Sequence, residues 1–582
     1  MKRCPACKRV ELDDTLAFCR VDGTPLVSDS GLAIADADTV KFGSGPVASE
    51  VKTSVLPQTL TDSDINRPTA PTTVLPAQST SGRTRELSKL EWRKASLLVL
   101  AAIIIVAIAG LAYYYYTHKS NAAINSIAVL LFQNTSGDPN LDYLSDGVSE
   151  SIINSLSRVS QLKVMARSTM FRFKGRERDP QGVGKELGVG AVMTGRMLQQ
   201  GENLTVSVEL VNVADGTQLW GEQYNRRSAD LATVQQEIAR DISERLRLRL
   251  SGEEQQLNKG GTNNTEAYQS YLRGRFYWNK RTGDGFRKAI EQFQQAIDRD
   301  PNYALAYDGL ADCYLLLEQY ASTPASETLP KAKAAAERAL QIDDSLAEAH
   351  ASLACYYDQS WRWDEAEKEF KRAISLNPNY PTAHHWYEIH LRLLGRLDEA
   401  LAEIKRAQEL DPLSPTLYVN VSFVYFLKND LGSALEQAKR GVDLDPNYPI
   451  AHQTIGRVYI KQRRYAEAVA EFQQDVAMDR TAHALKDLGN AYAVAGRRDE
   501  ALAVVKELEE KYQKHESLGQ YVALVYAGLG DLRQAFAWLE KDFQAHSGEL
   551  SSVIEEPGFD PIRDDPQYAD LLRRMGLRPW KT

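Results

Sequence analysis

The sequence predicts a multidomain chain: a small metal-stapled head, one transmembrane helix, an α/β domain, then an all-α solenoid of repeats. Three observations carry this. Cys4, Cys7 and Cys19, three of the five cysteines, crowd into the start of the chain. Residues 95–116, ASLLVLAAIIIVAIAGLAYYYY, form a long uncharged apolar run. From Asn263 onward, similar helical segments recur every 34 residues. A chain of 582 residues is also too long for a single core.

The head, residues 1–27, contains CPACKRVELDDTLAFCRVDGTPL. Cys4 and Cys7 form a C-x-x-C pair, and Cys19 and Asp22 follow on a second turn. Paired thiolates on tight turns suit a tetrahedral zinc site, in which a carboxylate is an accepted fourth ligand. So short a segment has too little apolar mass to fold without a staple. With its C-P-x-C and F-C-x-x-D-G-T-x-L phrases, the head resembles the N-terminal zinc-ribbon modules of bacterial membrane proteins. The resemblance implies a structural zinc held by Cys4, Cys7, Cys19 and Asp22.

Residues 28–94 are a linker and juxtamembrane segment rich in Ser, Thr, Pro, Ala and Asp, without helical or strand period. The apolar run at 95–116 matches the hydrocarbon thickness of a bilayer and predicts a single transmembrane helix. Arg83, Arg85, Lys89, Arg93 and Lys94 precede it, whereas Lys119 alone follows closely. That bias places the N-terminus in the cytoplasm and the rest of the chain outside, across a bacterial inner membrane. Trp92 and Tyr113 to Tyr116 suit the two headgroup levels.

Residues 124–250 alternate as an α/β domain. INSIAVLLFQN predicts a strand, LDYLSDGVSESIINSLSRV a helix, and AVMTGRMLQQ, NLTVSVELVNV and TQLWGEQYNRR three consecutive strands. Through IAVLLFQNTSGDPNLDYLSDGVSESI, GVGAVMTGRM and DGTQLWGEQYNR, this segment resembles the TolB-like domain found ahead of repeat arrays in bacterial signalling proteins. The resemblance implies a non-enzymatic domain.

In residues 263–550 the turns Asn377-Pro378, Asp411-Pro412 and Asp445-Pro446 stand 34 residues apart. Small residues face aromatics at fixed offsets, as with Ala354, Tyr357, Ala366 and Phe370, or Gly456, Tyr459, Ala468 and Phe472. Period and pattern resemble tetratricopeptide repeats. About eight copies start near Ser270, Ala304, Ala347, Pro381, Pro415, Pro449, Ala482 and Glu516. Residues 551–582 lose the pattern and are expected to form a polar C-terminal cap.

The glycines of GVGKELGVG lack the full phosphate-loop pattern, and no kinase, serine-hydrolase or zincin motif occurs. The chain is therefore expected not to be an enzyme. His350, His384 and His452 recur at one repeat position and are expected to pack rather than bind metal; Cys313 and Cys355 are expected to be structural. The inner faces of the repeats offer Asp308, Asp312, His385, Arg392, Gln453, Arg457, Lys486 and Asn490, with Phe423 and Phe426 between them. Mixed charge around an aromatic centre suits a protein or peptide partner. The net charge of −9 lacks the basic stripe that nucleic acid demands. The expected function is a membrane-anchored adaptor mediating protein–protein interaction. The alternative is a transmembrane signal transducer or transcription regulator using the zinc-ribbon head, although residues 1–94 balance thirteen Lys/Arg against twelve Asp/Glu.

Overall fold

The computed structural model describes residues 124–175, 179–246, 260–321 and 323–579, together with three two-residue strands near the N-terminus. In that head β1 (Lys2–Arg3) pairs antiparallel with both β2 (Val10–Glu11) and β3 (Val27–Ser28). Cys4, Cys7, Cys19, Asp22, the linker and the expected span at 95–116 lie outside the described residues. Among the described residues, no helix is long and apolar enough to cross a membrane.

The α/β domain has a mixed sheet in which β6 (Lys163–Val164), β4 (Ser126–Val129) and β7 (Ala191–Gln200) run parallel. An antiparallel meander continues from β7 through β8 (Asn203–Asn212) to β9 (Gln218–Arg227). Burial follows this order. Ala191, Val192 and Met193 are all buried, as a strand covered on both faces requires, whereas β8 buries alternate residues Leu204, Val206, Val208 and Leu210. The expected single strand over 124–134 breaks into β4 and β5 (Gln133–Asn134), because the Phe132 amide donates to Ser149 Oγ at 2.9 Å instead of to the sheet. The GVGKELGVG segment supplies the helix Pro180–Leu187, whose Gln181 and Gly182 amides donate to the Asp179 side chain; those amides already have an acceptor where a phosphate would sit.

Eight antiparallel helix pairs follow, at residues 265–299, 304–342, 347–376, 381–410, 415–444, 449–478, 482–513 and 519–544, here numbered repeats one to eight. The small-on-aromatic pattern sets their crossing. A Cβ on Gly456 would stand 2.6 Å from the Phe472 ring, so the two helices approach as closely as backbone and ring allow. The recurring histidines fasten each pair instead of merely filling space. His384 bridges Glu403 at 2.6 Å and the Pro378 carbonyl at 3.1 Å, and His350 and His452 repeat this geometry with Glu369 and Glu471.

The turns that mark the 34-residue period also dock the α/β domain. Asn379 Nδ2 donates to the carbonyls of Ser157, Val159 and Leu162 at 3.1 to 3.3 Å, satisfying groups left open where the helix Asp142–Ser157 ends. Thr169 Oγ1 donates to Asp411 Oδ1 at 2.6 Å and accepts from the Leu413 amide at 3.0 Å. Arg172 reaches the Leu444 carbonyl at 2.7 Å. Along that helix, buried Glu150 meets Arg275 at 2.8 Å and Arg167 at 2.9 Å. Burial alone would raise the Glu150 pKa, but the two guanidinium groups hold it below the usual range.

The α/β domain and the repeats should therefore unfold together. Asn379→Ala leaves the buried Ser157 and Leu162 carbonyls short of a donor, while Val159 keeps the Leu162 amide, and is expected to destabilise the chain by about 1–3 kcal/mol. Calorimetry of the variant should show a lowered transition, and an unchanged one would mean that the contact contributes nothing.

Candidate partner groove

The inner face of the solenoid is occupied by the chain's own C-terminus. After the helix Leu532–Gln544, the chain turns at His546 (φ 50°) and enters two short 3-10 stretches, Gly548–Ile554 and Pro557–Ile562. These lie against repeats two to eight. Ser547 Oγ donates to Glu318 at 3.0 Å, and Gly548 packs on Gln359. Glu555 pairs with Arg392 at 3.0 Å, while Glu556 meets Arg457 at 3.2 Å and Lys486 at 3.5 Å. At Gly558 a Cβ would stand 2.4 Å from Leu524, so the backbone itself touches the last repeat.

The expected polar cap is therefore an apolar segment with a charged seam. Leu550, Val553, Ile554, Phe559, Ile562 and Tyr568 are all buried. The final helix Pro566–Arg574 returns to repeat three, where Trp363 Nε1 donates to the Met575 carbonyl at 2.9 Å. Phe543 stacks on Trp361 with ring centroids 5.3 Å apart.

The groove residues expected from sequence fall into three groups. Arg392, Arg457 and Lys486 contact the tail as described. Arg392 and Lys486 are buried rather than solvated, and Arg457 keeps only 12% of its side chain exposed, because the tail covers them. Phe423 and Phe426 stack at 5.9 Å, and both the Arg392 and Arg457 guanidinium groups lie over Phe423, at 4.6 and 5.8 Å. The remaining residues turn to partners within the repeats. Gln453 donates to Asp475 at 2.8 Å, and Asn490 to the Leu524 carbonyl at 3.2 Å. Asp308 and Asp312 both accept from Ser352 Oγ at 2.8 Å, at the opposite end of the array. Burial, reinforced by Asp312, holds the Asp308 carboxyl far above its usual range. His385 is half-buried, and burial together with Arg392 lowers its pKa to about 3, so it is no cation of the groove.

Sequence reasoning missed Glu318, Glu388 and the tail's own Glu555, Glu556 and Phe559. Glu388 is fully buried 3.4 Å from Arg392, so that guanidinium faces two carboxylates. Neither contact has hydrogen-bond geometry. Burial raises Glu388 to about 8, Glu318 to about 8 and Glu555 to about 7. The only legible signal was the apolar spacing of Phe559, Ile562, Tyr568, Leu571 and Leu572 in a stretch that otherwise looks polar.

These three carboxyls set a pH dependence. Each takes up a proton on folding between its ordinary value near 4.5 and its raised value, so their contribution is fully present below 4.5 and lost as pH rises through about 7 to 8. The melting temperature should fall between pH 6 and pH 9. Glu388→Gln, which keeps the neutral shape at every pH, should reduce that fall; an unaltered slope would remove Glu388 as its source.

Comparison with known proteins agrees with the repeats and revises other expectations. Tetratricopeptide models match residues 280–322, 347–380 and 454–516. Residues 122–241, the segment expected to be TolB-like, match the second domain of HilA/YgeH-like transcriptional regulators. A putative adenylate cyclase 3 from Rhizobium meliloti is 35% identical over 246 residues, 42% of this chain and 42% of that protein. The transcriptional regulator HilA of Salmonella typhimurium is 25% identical over 151 residues, 26% of this chain and 27% of HilA. The chain thus spans less than half the length of these curated relatives. Similar solved structures include Pseudomonas aeruginosa PilF, 22% identical with a TM-score of 0.28, covering 36% of this chain and 94% of PilF. YrrB, described as a TPR protein with an unusual peptide-binding site, is 21% identical with a TM-score of 0.24, covering 33% of this chain and 94% of YrrB. The expectation that the chain is not an enzyme is overturned by the cyclase relative, because missing motifs do not exclude a chemistry that a 35% identical protein is named for.

Proposed function

We propose that the chain is a membrane-anchored scaffold whose tetratricopeptide groove captures a protein or peptide partner and whose α/β domain moves with it as one body. The observation that carries the reading is the groove itself: cations, buried amides and a stacked aromatic pair line a surface that already holds a segment of polypeptide in two short 3-10 stretches. Relatives named for two different outputs, nucleotide cyclisation and transcription regulation, favour a shared regulatory role for the common region. In this reading Cys4, Cys7, Cys19 and Asp22 hold one structural zinc in the cytoplasm, and residues 95–116 carry the chain across the membrane.

An impermeant cross-linker applied to intact spheroplasts should trap partners on the wild-type repeats. It should trap fewer on Arg457→Gln, which removes the charge but keeps hydrogen-bond donors. Cross-links that form only after lysis would invert the topology, and equal trapping by the variant would move the site out of the groove. The purified chain should carry about one zinc, lost in Cys7→Ser; absence of zinc from the unaltered chain refutes the metal head.

A second reading, that the chain itself acts on a nucleotide, is favoured by the name of the cyclase relative. Incubating the purified chain with ATP tests it, and no cyclic product above a buffer control counts against it.

A further inference from the structure

The tail meets the groove in a way that differs from the packing of the repeats on one another. Among the described residues, no backbone–backbone hydrogen bond joins residues 547–562 to repeats one to seven; the segment's backbone bonds are local, such as Leu550 to Ser547 and Phe559 to Glu556. Its hold on those repeats is therefore made by side chains. At the seam the fit is imperfect, since Glu388 and Glu555 compete for Arg392 at 3.4 and 3.0 Å without hydrogen-bond geometry.

The groove is also prepared for the tail's absence. Arg457 has its own partner in Asp487 at 3.1 Å, and Lys486 reaches the same carboxylate at 3.3 Å. Gln453 and Asn490 bond to the repeats. Removing Glu556 would leave Arg457 and Lys486 facing Asp487. An uncompensated buried charge, the usual obstacle to opening such a seam, does not arise at these two cations.

Resting on the groove reading above, we propose that residues 547–562 are a built-in ligand. The partner is an acidic peptide that displaces them, with two adjacent carboxylates followed three residues later by an aromatic. The spacing is that of Glu555, Glu556 and Phe559. The carboxylates take the places on Arg392, Arg457 and Lys486, and the aromatic takes the buried place of Phe559. The tail thereby sets the threshold that a partner must exceed.

The test uses the full chain in detergent and a fluorescent synthetic peptide of residues 547–565. The double variant Glu556→Lys, Phe559→Ala weakens the tail in place, so it should bind the added peptide at least tenfold more tightly than the wild-type chain. Adding Arg457→Glu should abolish that binding while circular dichroism stays helical. In the wild-type chain, hydrogen exchange over 547–562 should be faster than in the helix Pro381–Leu393, and should change when the peptide is present in excess. If the double variant remains helical and binds no peptide, the proposal falls. Should that variant fail to fold, exchange decides alone: a wild-type tail that exchanges as slowly as the repeat helices and ignores the peptide is a permanent part of the fold. Partner cross-links that persist in either case would show that the groove reading survives without the built-in ligand.

Discussion

Two helices can cross closely only where one presents a residue with almost no side chain, and the rest of this structure depends on that step being repeated. Gly456 against the Phe472 ring is one instance, and Gly309 against Phe293 is another. Each crossing turns the next pair by a small angle, and these rotations add along the array. The chain curls far enough that its last helix, Pro566–Arg574, meets Trp363 of repeat three. A curl of that size encloses a concave face, and a concave face with buried Glu388 and Arg392 needs something to cover it. The covering segment is the tail.

The outer consequence of the same periodicity is the docking of the α/β domain. Every second helix of a repeat ends in a turn, and successive turns line up along one edge of the solenoid. An Asn or Asp at such a turn can serve its own backbone, as Asn377 Oδ1 does for the Asn379 amide at 3.1 Å. It can also serve a neighbour, as Asp411 does for Ser168 and Thr169. The α/β domain uses two consecutive turns in this way and the Leu444 carbonyl at the third, so the spacing of the repeats fixes where its helix Asp142–Ser157 and the helix Arg167–Phe171 lie.

The repeats were legible because their signal is periodic. Asn377, Asp411 and Asp445 align by counting, and the helix pairs start within a few residues of the expected places. The polar groove residues were placed on the inner face by the same counting. Their burial was not legible, since it depends on a tail about 160 residues beyond Arg392 that only the accumulated curl brings beside it. In the local sequence of FDPIRDDPQYADLLRRMGL, only the spacing of the apolar residues hints that Phe559 and Ile562 have lost their contact with water. Asn379 was hidden for a similar reason: a turn asparagine has a sufficient local role, and its second role requires the other domain.

Magnitudes decide what holds the tail and what positions it. Burying an apolar side chain such as Leu550, Val553, Ile554, Phe559 or Ile562 stabilises by roughly 1.5–3 kcal/mol each. A buried ion pair such as Glu555 with Arg392 gains little net energy, because desolvation of both groups offsets their attraction. The charged seam is left to set register: it determines that Glu555 rather than a neighbouring residue lies on Arg392. A ligand made of charges alone would reproduce the register without the driving force. An aromatic in the place of Phe559 would supply the force, which is why the proposed ligand joins both parts of the segment.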